Sequence, residues 1–152
     1  MKLSVTSVML PRWDLDQTFD KLAEHDYNGI ELRCRYNPDD PNADLSPWGR
    51  HLTDVSPDNI VNKAPQIREA SKRSGITVAA LAPNFTYEDT ETIEKIIKGA
   101  LAINPDNPPL IRVGAQRHDR TSTYQPQFLN ARAGFSNLVE TAREYGVKII
   151  YE

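Results

Sequence analysis

The sequence predicts an α/β protein with a parallel sheet, and three observations carry that expectation. Five short apolar runs, rich in β-branched residues, alternate with segments of helical periodicity. Three of those segments enter the next run through Asn28-Gly29, Ser74-Gly75 and Tyr145-Gly146, and glycine there supplies the left-handed turn that ends a helix. The runs recur at roughly 36-residue intervals with no linker or low-complexity stretch between them. Strand–helix–strand order repeated in this way implies parallel strands joined by right-handed crossovers.

Taken in order, the first run is Leu3 to Leu10. Leu15, Phe19, Leu22 and Ala23 then recur at helical spacing, with Asp14 as cap and Gln17 closing a capping box. The second run is Gly29 to Arg33. A proline- and aspartate-rich segment, residues 35–55, reads as an insertion after it. Ser56-Pro57 opens the next helix, whose buried face is Ile60, Ala64, Ile67 and Ala70. The third run is Ile76 to Ala82, followed by a helix that opens at Asp89 or Thr90 and carries Ile93, Ile96, Ile97 and Ala100. Leu110 to Gly114 is the fourth run. A helix from about Gln127 to Tyr145 follows, with Phe128, Ala131, Phe135, Leu138, Val139 and Ala142 expected on its buried side; Val147 to Tyr151 is the fifth run.

The chain has 152 residues, 39% of them hydrophobic, with 18 basic against 21 acidic residues and a net charge of −3. That balance suits one domain and gives no overall attraction to nucleic acid or to an anionic membrane. A single cysteine, Cys34, cannot form an internal disulfide and fits a reducing compartment. The sequence holds neither a signal-peptide h-region nor an apolar run near the ~18 residues of a spanning helix, so a cytoplasmic location is expected. Two parallel architectures compete: an open five-stranded sheet and a (β/α)8 barrel of the TIM type, which needs about 250 residues. Residues 1–152 end on a strand with no helix after it. The expectation is a single domain that forms the first four and a half units of such a barrel, a partial barrel at the amino-terminal end of a longer chain.

The motifs DYNGIELR, SGITVAALAP, PPLIRVGA and YGVKIIYE, at the second to fifth runs, resemble the xylose isomerase-like TIM barrels. The resemblance implies a sugar or sugar-phosphate isomerase or epimerase, with a divalent metal at the carboxyl ends of the strands. In that family a glutamate ending the fifth strand is the first metal ligand, and Glu152 matches it. Hard carboxylate oxygens suit manganese or magnesium, which would hold an enediolate while a proton moves next to a carbonyl. The further ligands have no counterpart in this sequence, so the fragment alone is expected to bind no metal and to be inactive.

Glu31 and Arg112 lie inside the second and fourth runs, and in an eight-stranded barrel alternate strands feed one interior layer. A structural ion pair is expected there, since either charge alone would be costly to desolvate. The loops after the runs collect the candidate substrate contacts Trp13, Arg33, Asn84, Gln116 and His118: an aromatic face for a sugar ring, and polar or cationic groups for its oxygens. The short basic run 116–120 reads as a solvated loop. His25, His51 and Cys34 lack the spacing of a zinc site. No G-x-G-x-x-G, P-loop or G-x-S-x-G sequence occurs, which weighs against dinucleotide, nucleotide and serine-hydrolase chemistry. Two alternatives stand beside the isomerase reading. An endonuclease IV-like phosphodiesterase would need many histidines and a basic face, whereas this chain has three histidines. A non-catalytic open α/β binding module would fold alone as a monomer. The expected partner is a small sugar or sugar phosphate, with no nucleic acid and no membrane, and with self-association through the open sheet edges.

Overall fold

The computed structural model describes residues 1–117 and 120–151. Five strands form one parallel sheet in sequential order: β1 (Ser4–Thr6), β2 (Gly29–Arg33), β3 (Thr77–Ala82), β4 (Leu110–Val113) and β5 (Ile149–Tyr151). Four helices connect them: α1 (Leu15–Glu24), α2 (Ile60–Ser74), α3 (Thr90–Ile103) and α4 (Tyr124–Glu144). Sequential order among all-parallel strands is that of a barrel wall. A doubly wound sheet would reverse direction partway.

The local signals mostly act where the sequence places them. Asp14 caps α1, accepting from the Gln17 amide at 2.8 Å, while the Gln17 side chain accepts from the Asp14 amide at 3.1 Å. Gly75 and Gly146 adopt φ of 76° and 68°, the left-handed turn after α2 and α4. Gly29 does something else. The left-handed residue after α1 is Asp26, at φ 59°, and Gly29 already belongs to β2. A Cβ on Gly29 would stand 2.6 Å from Ser4 Oγ, so glycine there lets β1 and β2 approach. Ser56-Pro57 forms the turn before α2 rather than its first residues: the Ile60 amide bonds the Ser56 carbonyl at 2.9 Å, and Asn59 is the cap. Pro65 sits inside α2 on its solvent side, where a lost amide donor is cheapest.

Two expectations change at the ends of the chain. Leu3 to Leu10 is only in part a strand: β1 spans three residues, and Ser7–Met9 winds into a 3-10 turn that Thr6 caps. Helix α4 begins at Tyr124, and of the six residues expected on its buried side only Leu138 and Ala142 are buried. Phe128 and Val139 are 47% and 40% exposed. The apolar stripe is wider than the sheet edge it packs on, so its margin stays in solvent.

Strand register divides the sheet into two faces. Val5 pairs with Ile30, Ile30 with Val78, Leu32 with Leu81, and Ile111 with Ile149. This set packs against the helices, and Ile30, Leu32, Leu81 and Ile111 are fully buried with Phe19, Ile60, Ile67, Ile93, Ile96 and Ile97. Val5 and Ile149 therefore lie on the helix side of the sheet, packed against that core. The opposite face carries Thr6, Glu31, Arg33, Ala80, Ala82, Leu110, Arg112 and Ile150, by the same pairings and the alternation of strand side chains. A register shift between Ile30 and Glu31 leaves Ala79 as an extra residue in β3 and keeps both faces aligned beyond it.

Candidate active face

The interior face carries Glu31, Arg33 and Arg112 where a barrel core would hold large aliphatic residues. Glu31 and Arg112 form an ion pair on it, Oε2 to Nε at 3.4 Å, each side chain about a fifth exposed. They stand on β2 and β4 with β3 between them, where Ala80 and Ala82 present only methyl groups.

Arg33 ends β2 and is buried. Its amide donates to Ser7 Oγ at 2.7 Å, which anchors the 3-10 turn after β1. Its guanidinium reaches the insertion: Nη2 donates to the Gly49 carbonyl at 3.0 Å and Nη1 to Asn37 Oδ1 at 3.3 Å. Burial, with repulsion from Arg35, holds its pKa below the ordinary arginine value. Residues 35–55 thus form a strap across the carboxyl ends of β1 and β2. The Arg35 amide bonds the Val55 carbonyl at 2.9 Å and closes its base, and the Leu52 amide bonds the Pro11 carbonyl at 3.0 Å.

Trp13 is half-buried in the loop after β1. It lines an open cleft of about 450 Å³ between that loop and Leu45, Ser46 and Pro47 of the strap. Asn84, in the loop after β3, is exposed and holds a left-handed φ of 65°. The loops after β3 and β4 are tied by the Gly114 amide, which bonds the Phe85 carbonyl at 3.0 Å. Gln116 donates to Glu88 Oε2 across that tie, within a cleft of about 340 Å³ that Arg117, Gln127 and Asn130 also line. Two further candidates, His118 and Glu152, lie outside the described residues. So Trp13 and Arg33 gather under one side of the strap, and Gln116 belongs to a separate cleft.

Sequence reasoning missed the strap's own contribution. Arg35 lies over the ring of Trp48, 5.7 Å from its centroid, and its Nε donates to the Ala82 carbonyl at the end of β3. Asn37 and His51 bind each other twice across the strap, at 2.9 Å in each direction. No local pattern announces such contacts, because they join residues brought together only by the strap's closure. Among the described residues no three His, Cys, Asp or Glu side chains come together as a metal centre. Glu31 is committed to Arg112, so the described residues by themselves do not fit a divalent ion.

The fold has clear counterparts. The chain is similar to an E. coli 3-keto-D-glucoside 4-epimerase in its apo form, with 13% identity and a TM-score of 0.66 over 99% of this chain and 55% of that one. It is similar to a xylose isomerase domain-containing protein from Salmonella typhimurium, at 13% identity and TM-score 0.61 over 97% and 47% of the two chains. A D-tagatose 3-epimerase-like protein matches at 22% identity and TM-score 0.59, over 99% and 52%. The chain spans about half the length of these structures, and at such identities the likeness is one of fold. That fold is a sequential parallel β/α wall of the TIM-barrel type, matching about half of each of these longer chains. No protein-family model and no curated protein sequence matches the chain. No helix of the described residues is long and apolar enough to cross a membrane.

Proposed function

We propose that this chain is the amino-terminal portion of a sugar or sugar-phosphate isomerase or epimerase. One observation carries the reading: a barrel wall with the fold of sugar epimerases carries the Glu31–Arg112 pair on its interior face, with Arg33 and Arg35 at the carboxyl end of β2 beside it. Catalytic groups in TIM-type barrels gather at that end. Guanidinium groups at that end of the barrel suit hydroxyl, carbonyl or phosphate oxygens of a small sugar. Trp13 would offer an aromatic face to the ring from the cleft beside the strap.

The reaction class is proton transfer next to a carbonyl, with one carboxylate as base and a second acid returning the proton. Glu152 is the proposed ligand for manganese or magnesium and the proposed base. No step is assigned to the metal, because the described residues do not assemble a centre for it. Asn84, Gln116 and His118 remain proposed substrate contacts, and a cytoplasmic location belongs to the same proposal.

The test uses the natural full-length protein in heavy water with manganese and a panel of ketoses and ketose phosphates. Incorporation of solvent deuterium at the carbon beside the carbonyl is expected, together with its loss and weakened manganese binding in Glu152→Gln. Tight metal binding by Glu152→Gln, or no exchange with any member of the panel, would overturn the assignment. A polar interior face also suits the non-catalytic binding module, and saturable sugar binding without exchange would favour that reading.

A further inference from the structure

Three buried side-chain atoms lack a hydrogen-bond partner among the described residues: Arg33 Nε, His51 Nδ1 and Thr53 Oγ1. All belong to the strap or to the residue that holds it. His51 is 1% exposed and Arg33 2% exposed. The His51 Nε2 lies 3.2 Å from the Pro47 carbonyl. A carbonyl only accepts, so Nε2 carries the hydrogen and neutral His51 leaves Nδ1 as a bare acceptor. That atom faces no donor.

A second proton on Nδ1 would have no hydrogen-bond partner in place, in a site closed to water. The Pro47 and Ser46 carbonyls favour a charged ring, but burial and the neighbouring arginines outweigh them. The charges that act on His51 there are Arg33, from the end of β2, and Arg35, from the first residue of the strap. Of the strap's four aspartates, Asp39, Asp40, Asp44 and Asp54, the last is turned to Asn37 Nδ2 at 3.0 Å and to Lys63 of α2 at 3.8 Å. Burying a second cation beside a guanidinium, with no counter-charge on the ring, is strongly unfavourable.

We propose that residues 35–55 are a pH-operated clasp, held shut by neutral His51 and released when a proton from solvent binds its Nδ1. Release frees the contacts that radiate from His51: the two bonds with Asn37, the bond to Pro47 and, through Asn37, one bond of Arg33. The mouth beside Trp13 opens, and Arg33 becomes reachable from solvent. Burial and the two arginines hold the His51 pKa below its ordinary value, which agrees with this direction. An open strap leaves His51 at the ordinary value of about 6.5. Opening is thus constant above about pH 6.5 and rises about tenfold per pH unit below it, until the depressed closed-state value is reached. The clasp does not depend on the isomerase reading and can be tested without substrate.

Amide hydrogen exchange from about pH 7.5 to about 5, corrected for intrinsic rates, reads the opening directly. The His51 and Leu52 amides, bonded to Asn37 Oδ1 and to the Pro11 carbonyl, should lose protection about tenfold per unit below about pH 6.5. His51→Gln, which keeps a donor for Pro47 and cannot titrate, should show flat protection over the same range. Ring nitrogen NMR supplies a second measurement: the Nε2-protonated tautomer near neutral pH, and titration of Nδ1 with the midpoint of the amide transition. Protection that stays constant while the ring titrates would overturn the clasp. So would a transition that survives in His51→Gln. If His51→Gln fails to close the strap at any pH, coincident ring and amide midpoints in the parent support the clasp, and separate midpoints refute it.

Discussion

Glu31 and Arg112 meet across an intervening strand, Oε2 to Nε at 3.4 Å, with the methyl groups of Ala80 and Ala82 beneath the contact. Strands two apart in a sheet stand nearly 10 Å from each other. Only long side chains over small ones span that gap. The charges, the strand order and the alanines of β3 therefore depend on one another.

Glu31→Gln should leave the fold intact and cost about 1–3 kcal/mol, less than the ~3–5 kcal/mol of a fully buried pair, since each partner is about a fifth exposed. Thermal melts should drop by roughly 2–12 °C at this chain length. Ala80→Leu should cost as much without touching either charge, by wedging a side chain into the span. A melt of Ala80→Leu equal to the parent's would show that the pair does not use that space.

The strand order and the buried face were legible because each repeats a physical signal. Periodic Ile60, Ala64, Ile67 and Ala70 in α2, the Asp14–Gln17 capping box, and Gly75 and Gly146 all report local requirements of the chain. Glu31 and Arg112 were legible because a charge inside a strand needs a partner. What escaped was decided at a distance. The Gly29 requirement comes from Ser4, twenty-five residues earlier. The exposure of Phe128 and Val139 follows from how little of the sheet α4 covers. The Arg33–Asn37–His51 contacts arise only when a strap of polar residues folds back on β2.

Gly99 in α3 should resist the usual gain from Gly→Ala in a helix. A Cβ there would stand 2.5 Å from Ile60 Cγ2, and Ile60 is fully buried. The clash should cost about 1–3 kcal/mol, more than the ~1 kcal/mol of helix propensity recovered. Adding Ile60→Val to Gly99→Ala removes one of the clashing atoms, so the pair should be less destabilised than the sum of the single changes. Additive denaturant midpoints would refute the close approach.

Removing the capping box should be cheaper. Asp14→Ala deprives the Gln17 amide of its acceptor at 2.8 Å and should lower stability by about 1 kcal/mol. Asp14→Ser should recover most of it. Circular dichroism melts of the two variants decide this, and equal losses would point to the charge rather than the cap.

The ion cluster of Arg73 with Asp16 and Asp20 joins α2 to α1 at 2.8 and 3.1 Å. Hydrogen bonds from Arg73 and Gln66 hold the Asp16 carboxyl below its ordinary pKa. A depressed carboxylate stabilises the fold above its unfolded pKa of about 3.9, and that contribution fades as pH falls through the lower folded value. All three side chains are close to half exposed, so the effect is small and screened by salt. Arg73→Ala should flatten the acid limb of stability at low salt and change little at about 1 M salt. An acid limb unaltered by Arg73→Ala would exclude the cluster as its source.

Strands β1 and β5 bound the described sheet, and their outer backbone groups have no strand beside them among the described residues. Such edges template pairing with another chain. On β5 the exposed Tyr151 and half-buried Ile149 and Ile150 add apolar surface to the open ladder. Residues 1–152 as an isolated chain should therefore self-associate, with sedimentation coefficients that rise over a tenfold concentration range. Ile150 lies on the polar face in register with Arg112, away from the helices, so Ile150→Lys places a charge at that edge without entering the core. The variant should sediment as a smaller species than the parent, with an unchanged far-UV spectrum. A parent chain that stays monomeric across the range would show that β1 and β5 are protected, and association undiminished by Ile150→Lys would move the contact away from β5.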